Sequence, residues 1–450
     1  MGHMEDHAAF VGTYTGCAQH ELFLAEIVFM LAIVVRNLSL PWVFLGRKFN
    51  TSIYVYWFKF LLDYAFLVLP PLLAMTTLSD SLFLLTCVLT ACLLTLLVFI
   101  CCEYFASPDR PTVKVVLNRI IDEQHRPTTF VTYYRASVLL LVATAILAVD
   151  FPVFPRRHTK TEKYGHSLMD VGVAAFIFAS ALASRVKNMS SWEASTRRKN
   201  WNRWLRSSYV ILPLIGITRT AILTFLDYPQ HVTEYGVHWN FFYTLAVVKI
   251  VSMALPKTYP LFWACTFGVL QQTMLIQGYE KWILDGDNQR DNFFTANAEG
   301  ICSLMGYLTI YYISDTIGLF ISKTGIRIKS WIECCWRLFV FSLVFFIMQR
   351  LSEYTLGPPS RRVVNMTYVF AQMSLLTFGL AGLLCVQLFS IIAWAANVPY
   401  FCIDDSPWSG VEPCLTVSVN KSGLVFFLLS NLFTDSTKAF LAPRLMTSHT

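Results

Sequence analysis

The stretch from Asp150 to Gly165 concentrates the reactive side chains of this chain. One carboxylate closes an apolar run, and Arg156, Arg157, His158, Lys160 and Lys163 follow before the next run begins. Charges are costly near hydrocarbon, so such a cluster marks chemistry or an ion path. Pro152 and Pro155 stiffen the backbone between them. Asp150 and Lys160 suit an acid–base pair. At the end of an apolar helix the Asp150 carboxylate is expected to be partly desolvated, and such a group can take a proton from a hydroxyl. Lys160 can stabilise the oxyanion that follows. The same residues also suit an ion pair that anchors a helix end at the membrane interface. Arg156 and Arg157, beside His158, suit a phosphate or pyrophosphate; the other reading is a snorkelling pair on lipid headgroups.

Two more loops are chemically rich. The first runs from Asp227 through Tyr228, His231, Glu234 and Tyr235 to His238. On a helix, His231, Glu234 and His238 would share a face. Gly236 interrupts them and the order is not that of a zincin helix, so no metal site is expected. A polar cradle for a hydroxyl-rich headgroup fits better, with Arg219 and Asn240 joining from the adjoining helices. The second loop ends in Asn297-Ala-Glu-Gly300. Asn297 and Glu299 read as an N-cap and a first-turn acid complementing the helix dipole, with a second role toward the same headgroup open to both.

The elements that position these loops are membrane helices. Hydrophobic residues make up 55% of the chain and charged residues 14%, against about a quarter charged in soluble proteins. Mean hydropathy is +0.52. Runs long enough to span fall at 21–45, 54–75, 78–101, 130–150, 166–184, 206–226, 238–255, 259–277, 294–317, 331–350, 363–395 and 423–441. The expected fold is an all-α polytopic membrane protein, a single bundle of about 12–13 transmembrane helices. One multi-pass domain then covers residues 1–450, with 1–20 as a non-cytosolic amino-terminal segment. That segment is acidic and lacks a cleavage site, so the first helix is expected to be retained. The run 363–395 is long for one span and reads as a tilted helix or a re-entrant pair.

Lys and Arg crowd the loops after odd-numbered runs, which the positive-inside rule makes cytosolic. The three reactive loops follow even-numbered runs and share the opposite face. The basic stretch Lys187–Arg206, with Trp192, Trp201 and Trp204, reads as a surface element on anionic lipid. No nucleic-acid role is expected. Most of the cysteines lie in apolar runs as small core residues; Cys402 and Cys414 could pair on an oxidising side. No glycan is expected at the sequons of Asn37, Asn50, Asn188, Asn365 and Asn420.

Several motifs together resemble the PIG-W family, the endoplasmic-reticulum inositol acyltransferases of glycosylphosphatidylinositol-anchor synthesis. They are Phe10-Val-Gly-Thr-Tyr-Thr-Gly16, Asp150-Phe-Pro-Val-Phe-Pro-Arg-Arg157, Lys160-Thr-Glu162, Tyr164-Gly165 and Ser167-Leu-Met-Asp170. Asp227-Tyr228 with Thr233-Glu-Tyr-Gly-Val-His-Trp-Asn-Phe-Phe242, Asn297-Ala-Glu-Gly300 and Asn420-Lys-Ser-Gly-Leu-Val-Phe-Phe427 continue the series. The resemblance implies transfer of a long, palmitoyl-like acyl group from acyl-coenzyme A, a cosubstrate rather than a tightly bound cofactor, to an inositol hydroxyl of glucosaminyl-phosphatidylinositol. It implies Asp150 and Lys160 as the essential pair, a multi-pass endoplasmic-reticulum protein surrounded by membrane lipids, and lumenal active-site loops. Thr159 and His166 depart from the family pattern without removing the pair. A lipid or small-molecule transporter or flippase is the rival class, and a non-enzymatic subunit of an anchor-synthesis complex the third.

Overall fold

The computed structural model describes residues 16–44, 53–106, 112, 114, 118, 129–190, 208–225, 232–284, 290–325, 327–397 and 413–446. The start of the amino-terminal motif, the tryptophan-bearing basic stretch 191–207, Asn50 and Cys402 lie outside them. Among the described residues the regular structure is helical, with one isolated antiparallel bridge between Cys17 and His166. In lipid a backbone must satisfy its own polar groups, which leaves the helix as the solution for long apolar runs.

Helices form in every expected run. They are α1 (Gln19–Phe44), α2 (Ile53–Leu67), α3 (Leu69–Met75), α4 (Leu82–Ala106) and α5 (Thr129–Ala148). Next come α6 (Val171–Ser190), α7 (Ser208–Phe225), the short α8 (Val232–Tyr235), α9 (Phe241–Ala254) and α10 (Pro260–Met274). The rest are α11 (Glu280–Leu284), α12 (Phe293–Ala296), α13 (Ala298–Ser322), α14 (Ile328–Leu356), α15 (Met366–Asn397), α16 (Cys414–Lys421) and α17 (Gly423–Met446). The run at 363–395 forms one continuous helix of 32 residues, not a re-entrant pair.

By length and composition, seven helices among the described residues can cross a membrane, or eight if the bent pair Cys414–Lys421 and Gly423–Thr434 is one span. That is fewer than the expected twelve or thirteen. The apolar helices Val171–Arg185, Tyr209–Ile222, Phe241–Ala254 and Pro260–Met274 fall short of the length test, below the roughly twenty residues that hydrocarbon thickness asks for. Hydropathy alone does not set burial: Met366–Ala393, at 2.2, is 78% buried. The span from Ser79 to Ala106 has mean hydropathy 2.8 and is 17% buried, whereas α13 has 1.3 and is 67% buried. A helix facing lipid is apolar all round; one packed against protein can carry polar groups.

The chain divides into two compact units. The first comprises Met1–Cys17, Thr159–Lys323 and Phe341–Leu376. Its axis is α13, joined to α6 by a bidentate ion pair between Arg185 and Asp315, with Nε–Oδ1 at 2.6 Å and Nη2–Oδ2 at 2.5 Å. Helix α10 runs on through a π turn, Leu275–Tyr279, kinked at Gly278, into α11.

The second unit comprises Ala18–His158, Thr324–Val340 and Thr377–Thr450. Val28 and Ala32 of α1 pack with Ala74 of α3 and Leu82 and Leu89 of α4. In α4 the Thr86, Thr90 and Thr95 hydroxyls each donate to the carbonyl four residues back, at 2.8 Å, which satisfies them without breaking the apolar face. The Arg36 guanidinium of α1 donates to Asp63 Oδ1 of α2 from Nε at 2.9 Å and Nη2 at 2.6 Å, both side chains fully buried. The other Asp63 oxygen accepts from Leu415 N at 3.2 Å and from the Cys414 thiol at 3.0 Å. Cys414 is a free thiol held on Asp63; Cys402, with which it could pair, lies outside the described residues.

Removing one partner of a buried ion pair strands the other, at a cost of about 3–5 kcal/mol. Asp63→Ala should therefore lower the thermal midpoint of the detergent-solubilised protein steeply, and Arg36→Leu with Asp63→Leu together should lower it less. Equal losses would show that the pair's charge is not what matters.

Candidate functional site

Within the first unit, parts of the three reactive loops converge, joined by a fourth that sequence reasoning missed. Thr159–Asp170 leads into α6. The 357–365 loop connects α14 to α15 and carries Arg361 and Arg362, both only 6% exposed. Residues 232–240 hold α8 and the N-cap of α9, and 290–299 hold α12 and the start of α13.

Lys160 is the outermost charge of the cluster, its side chain 41% exposed. Its Nζ donates to both oxygens of Glu234, at 2.7 and 2.8 Å. An ammonium has three N–H donors, so one is left unengaged among the described residues. Arg361 Nη1 donates to Glu234 Oε1 at 3.4 Å, and Arg361 Nε lies 2.9 Å from Asp170 Oδ1 in an ion pair. Asp170 in turn accepts from the Thr161 hydroxyl at 2.7 Å and the Thr161 backbone N–H at 3.3 Å. Thr161 follows Lys160 in the chain, so the ion pairs form a closed ring.

Burial alone would raise the Glu234 carboxyl, but Lys160 and then Arg361 outweigh it and hold the group down, from 4.5 to about 2. Asp170 behaves oppositely: burial pushes it up more than Arg361 and the Thr161 bonds bring it down. Two cations, Lys160 and Arg361, sit on the Glu234 carboxylate.

A second cluster lies beside the first. Glu299, 2% exposed, accepts from Arg290 Nη2 at 2.7 Å and from Arg362 Nη2 at 3.5 Å. It occupies the first turn of α13, as expected. Asn297 is not the expected side-chain N-cap. Its Oδ1 accepts from the His238 backbone N–H at 2.8 Å, and its Nδ2 donates to Phe293 O at 2.8 Å. Both ends of this buried carboxamide thus hold the chain's own backbone rather than a headgroup. Asn240 departs from its expected role in the same way. Its Oδ1 accepts from Phe242 N and Tyr243 N as the cap of α9, and its Nδ2 donates to Gly216 O and Thr220 Oγ1. Gly236 lets the loop pass: φ is +112°, and a Cβ there would stand 2.5 Å from Asn297 Cα. Tyr235 is half-buried, with its hydroxyl pushed well up, first by burial and then by Glu234. Arg219 and His238 are exposed. Asp227, Tyr228 and His231 lie outside the described residues.

The fourth loop is braced by Asn365. Its Oδ1 accepts from Ser360 N and Tyr368 N, and its Nδ2 donates to Pro358 O. At 1% exposure it has no room for a glycan. Val364 beside it has φ of 49°, a strained value for a β-branched residue. Val364 packs on Gly306 of α13, where a Cβ would stand 2.5 Å from the valine carbonyl oxygen. The signal for this loop was present in the sequence. Arg361-Arg362 is a basic pair on a face that the charge bias left poor in Lys and Arg.

In the second unit, Asp150 follows the end of α5 and is half-buried. Arg156 wraps around this turn, donating from Nη1 to Val149 O at 2.9 Å and from Nη2 to Phe151 O at 2.6 Å. Arg157 lies between Glu21, at 2.9 Å, and Asp80, at 2.7 Å. His158 is buried against Phe154, and burial, then Arg157, lowers its pKa. Phosphate binding was the expectation for these three. In the structure Arg156 sits on two backbone carbonyls, while Arg157, its side chain 33% exposed, sits on two carboxylates.

Residues 3–440 match the GWT1 family model. The chain belongs to the GWT1 family. Among its relatives is the cattle protein named glucosaminyl-phosphatidylinositol-acyltransferase PIGW, 30% identical over 96% of this chain and 91% of the relative. The human protein of that name is 33% identical over 74% of this chain and 71% of the relative. GPI-anchored wall transfer protein 1 of Saccharomyces cerevisiae is 30% identical over 84% and 80%.

The depressed Glu234 pKa makes a pH prediction for this family member. A carboxyl at about 2 in the folded protein and 4.5 when unfolded contributes stability above pH 4.5. That contribution disappears as pH falls from about 4.5 to about 2, and it amounts to at most about 3 kcal/mol. Thermal midpoints measured from pH 6 down to pH 3 should fall more steeply for the wild type than for Glu234→Gln. Parallel slopes would mean that the ring does not hold Glu234 ionised.

Proposed function

We propose that the chain is an O-acyltransferase that moves a long acyl group from acyl-coenzyme A to an inositol hydroxyl of glucosaminyl-phosphatidylinositol. The observation that carries this reading is the near full-length similarity to proteins named for that acyl transfer. The reading places the enzyme in the endoplasmic-reticulum membrane with its reactive loops lumenal, on the strength of the Lys and Arg bias between loops. One multi-pass domain carries the activity, and membrane lipids are its surroundings.

In this mechanism the Asp150 carboxylate takes the proton of the inositol hydroxyl. The oxygen attacks the thioester carbonyl, forming the C–O bond. Lys160, through the N–H that Glu234 leaves unengaged, stabilises the oxyanion. Collapse breaks the C–S bond, and the proton held on Asp150 passes to the departing thiolate, releasing free coenzyme A. Arg156 fixes the turn that carries Asp150, and among the described residues the exposed Arg219 and His238 are side chains that can meet the lipid headgroup.

Membranes containing Asp150→Ala or Lys160→Ala should lose acylation of glucosaminyl-phosphatidylinositol by at least about 10²-fold at equal protein level. Near-normal activity in either variant would overturn that residue's role. Purified wild type should release free coenzyme A only when both substrates are present. A transporter or flippase would release none.

A further inference from the structure

Lys160 is held at two points, and both lead back to one residue. Its ammonium is gripped by Glu234, and the next residue, Thr161, is gripped by Asp170 through both backbone N–H and hydroxyl. Among the described residues, Arg361 is the one that touches both of these carboxylates. Arg361 is itself fixed from behind. Its loop is pinned by Asn365, strained at Val364, and stitched to the Lys160 loop by Gly165 N to Pro359 O at 2.9 Å and Ser360 Oγ to Lys163 O at 2.7 Å. The Tyr368 hydroxyl donates to the Asp170 carbonyl at 2.7 Å and closes the other side.

An isolated lysine is a flexible point charge, whereas arginine offers a planar fork that holds two acceptors in fixed directions. The ring therefore gives a mobile side chain the placement of a rigid one. Glu234 is bound through both oxygens by Lys160 and shared with Arg361, so it has no lone role as a base. Arg361 is buried, and its ion pairs go to Asp170 and Glu234.

We propose that Glu234 and Arg361 are positioning residues for Lys160: Arg361 orients Asp170 and Glu234 together, and these two carboxylates fix the backbone and the ammonium of Lys160. The proposal rests on the reading of Lys160 as the oxyanion-stabilising group. It predicts a particular signature. Loss of either residue leaves both substrates bound and slows turnover, because a misplacement of about 1 Å costs on the order of 10²-fold in rate.

The test uses purified full-length protein carrying Glu234→Gln, Arg361→Gln, Arg361→Lys or Lys160→Ala. Steady-state kcat and KM are measured for both substrates. Binding stoichiometry for a non-transferable thioether analogue of acyl-coenzyme A reports the folded fraction. Labelling of Lys160 by an amine-reactive ester, relative to the exposed Lys163 on the same peptide, reports the grip on the ammonium. For Glu234→Gln and Arg361→Gln the expected result is a fall in kcat of at least about tenfold with KM changed less than about threefold. Analogue stoichiometry should stay unchanged, and the Lys160 to Lys163 labelling ratio should rise about tenfold, the weight of one charge-assisted hydrogen bond. Arg361→Lys should recover part of kcat and part of the protection. The proposal is overturned if the labelling ratio does not move, or if kcat falls only in proportion to analogue stoichiometry. Glu234→Gln is isosteric and decides the matter should the buried Arg361 variants not fold. If Lys160→Ala itself turns over normally, the catalytic reading of Lys160 fails, whatever the ring variants do. If Lys160→Ala is inactive while Glu234→Gln is normal, only the positioning inference fails.

Discussion

The Arg361 guanidinium is the charge on which the polar loops of the first unit depend. Burying an ion away from water costs several kcal/mol, and only close opposite charges with good geometry recover it. Asp170 is 1% exposed and the Glu234 side chain 21%. Without the guanidinium between them, these would be two anions sharing a desolvated pocket with a single lysine at its edge. With it the cluster holds two cations and two anions. Charge balance thus requires the loop after α14 to stay against the loop before α6, and this brings Lys160 to its place.

Backbone strain nearby fits that requirement. A β-branched residue in the left-handed region costs on the order of 1–3 kcal/mol and persists only where its surroundings over-determine it. Val364 packs on Gly306, and the carboxamide of the next residue, Asn365, accepts from Ser360 N and Tyr368 N on either side of it. Arg361 reaches Asp170 and Glu234 while its neighbour Arg362 reaches Glu299, in the adjoining cluster. The sharp path through Val364 ends the turn that presents these two side chains, and α15 starts immediately after it.

The membrane class and the place of every apolar helix were legible because long apolar runs leave the backbone no alternative to the helix. The length of each helix was less legible, because a run of apolar residues does not say how much of it remains helical. The run 259–277 forms α10 only to Met274 before a kinked π turn. A shared face for the reactive loops was an expectation legible from charge bias and loop parity. Which side chain faces outward was not. Asn240 and Asn297 looked like ligands for a sugar because a carboxamide suits either a hydroxyl or a backbone amide, and only the fold decides which is near. Arg361 and Arg362 escaped notice because they sit at the edge of an apolar run, where basic residues ordinarily anchor helices to headgroups.

A basic cluster beside a catalytic candidate invites assignment to phosphate, and here the choice of side chain argues otherwise. Arg156 and Arg157 in the second unit, and Arg185, Arg290, Arg361 and Arg362 in the first, all have internal acceptors. Each acceptor is a backbone carbonyl or a carboxylate from another turn or helix, the geometry a planar fork can fix and an ammonium cannot. In both units, then, arginine is used to hold polar backbone and acids in place. Lys160 differs in kind: it is partly exposed, with two N–H groups spent on one carboxylate and a third unspent. A residue that must first be held still and then share a proton or a charge with a substrate needs that combination. It separates Lys160 from the surrounding arginines more firmly than charge or sequence position does.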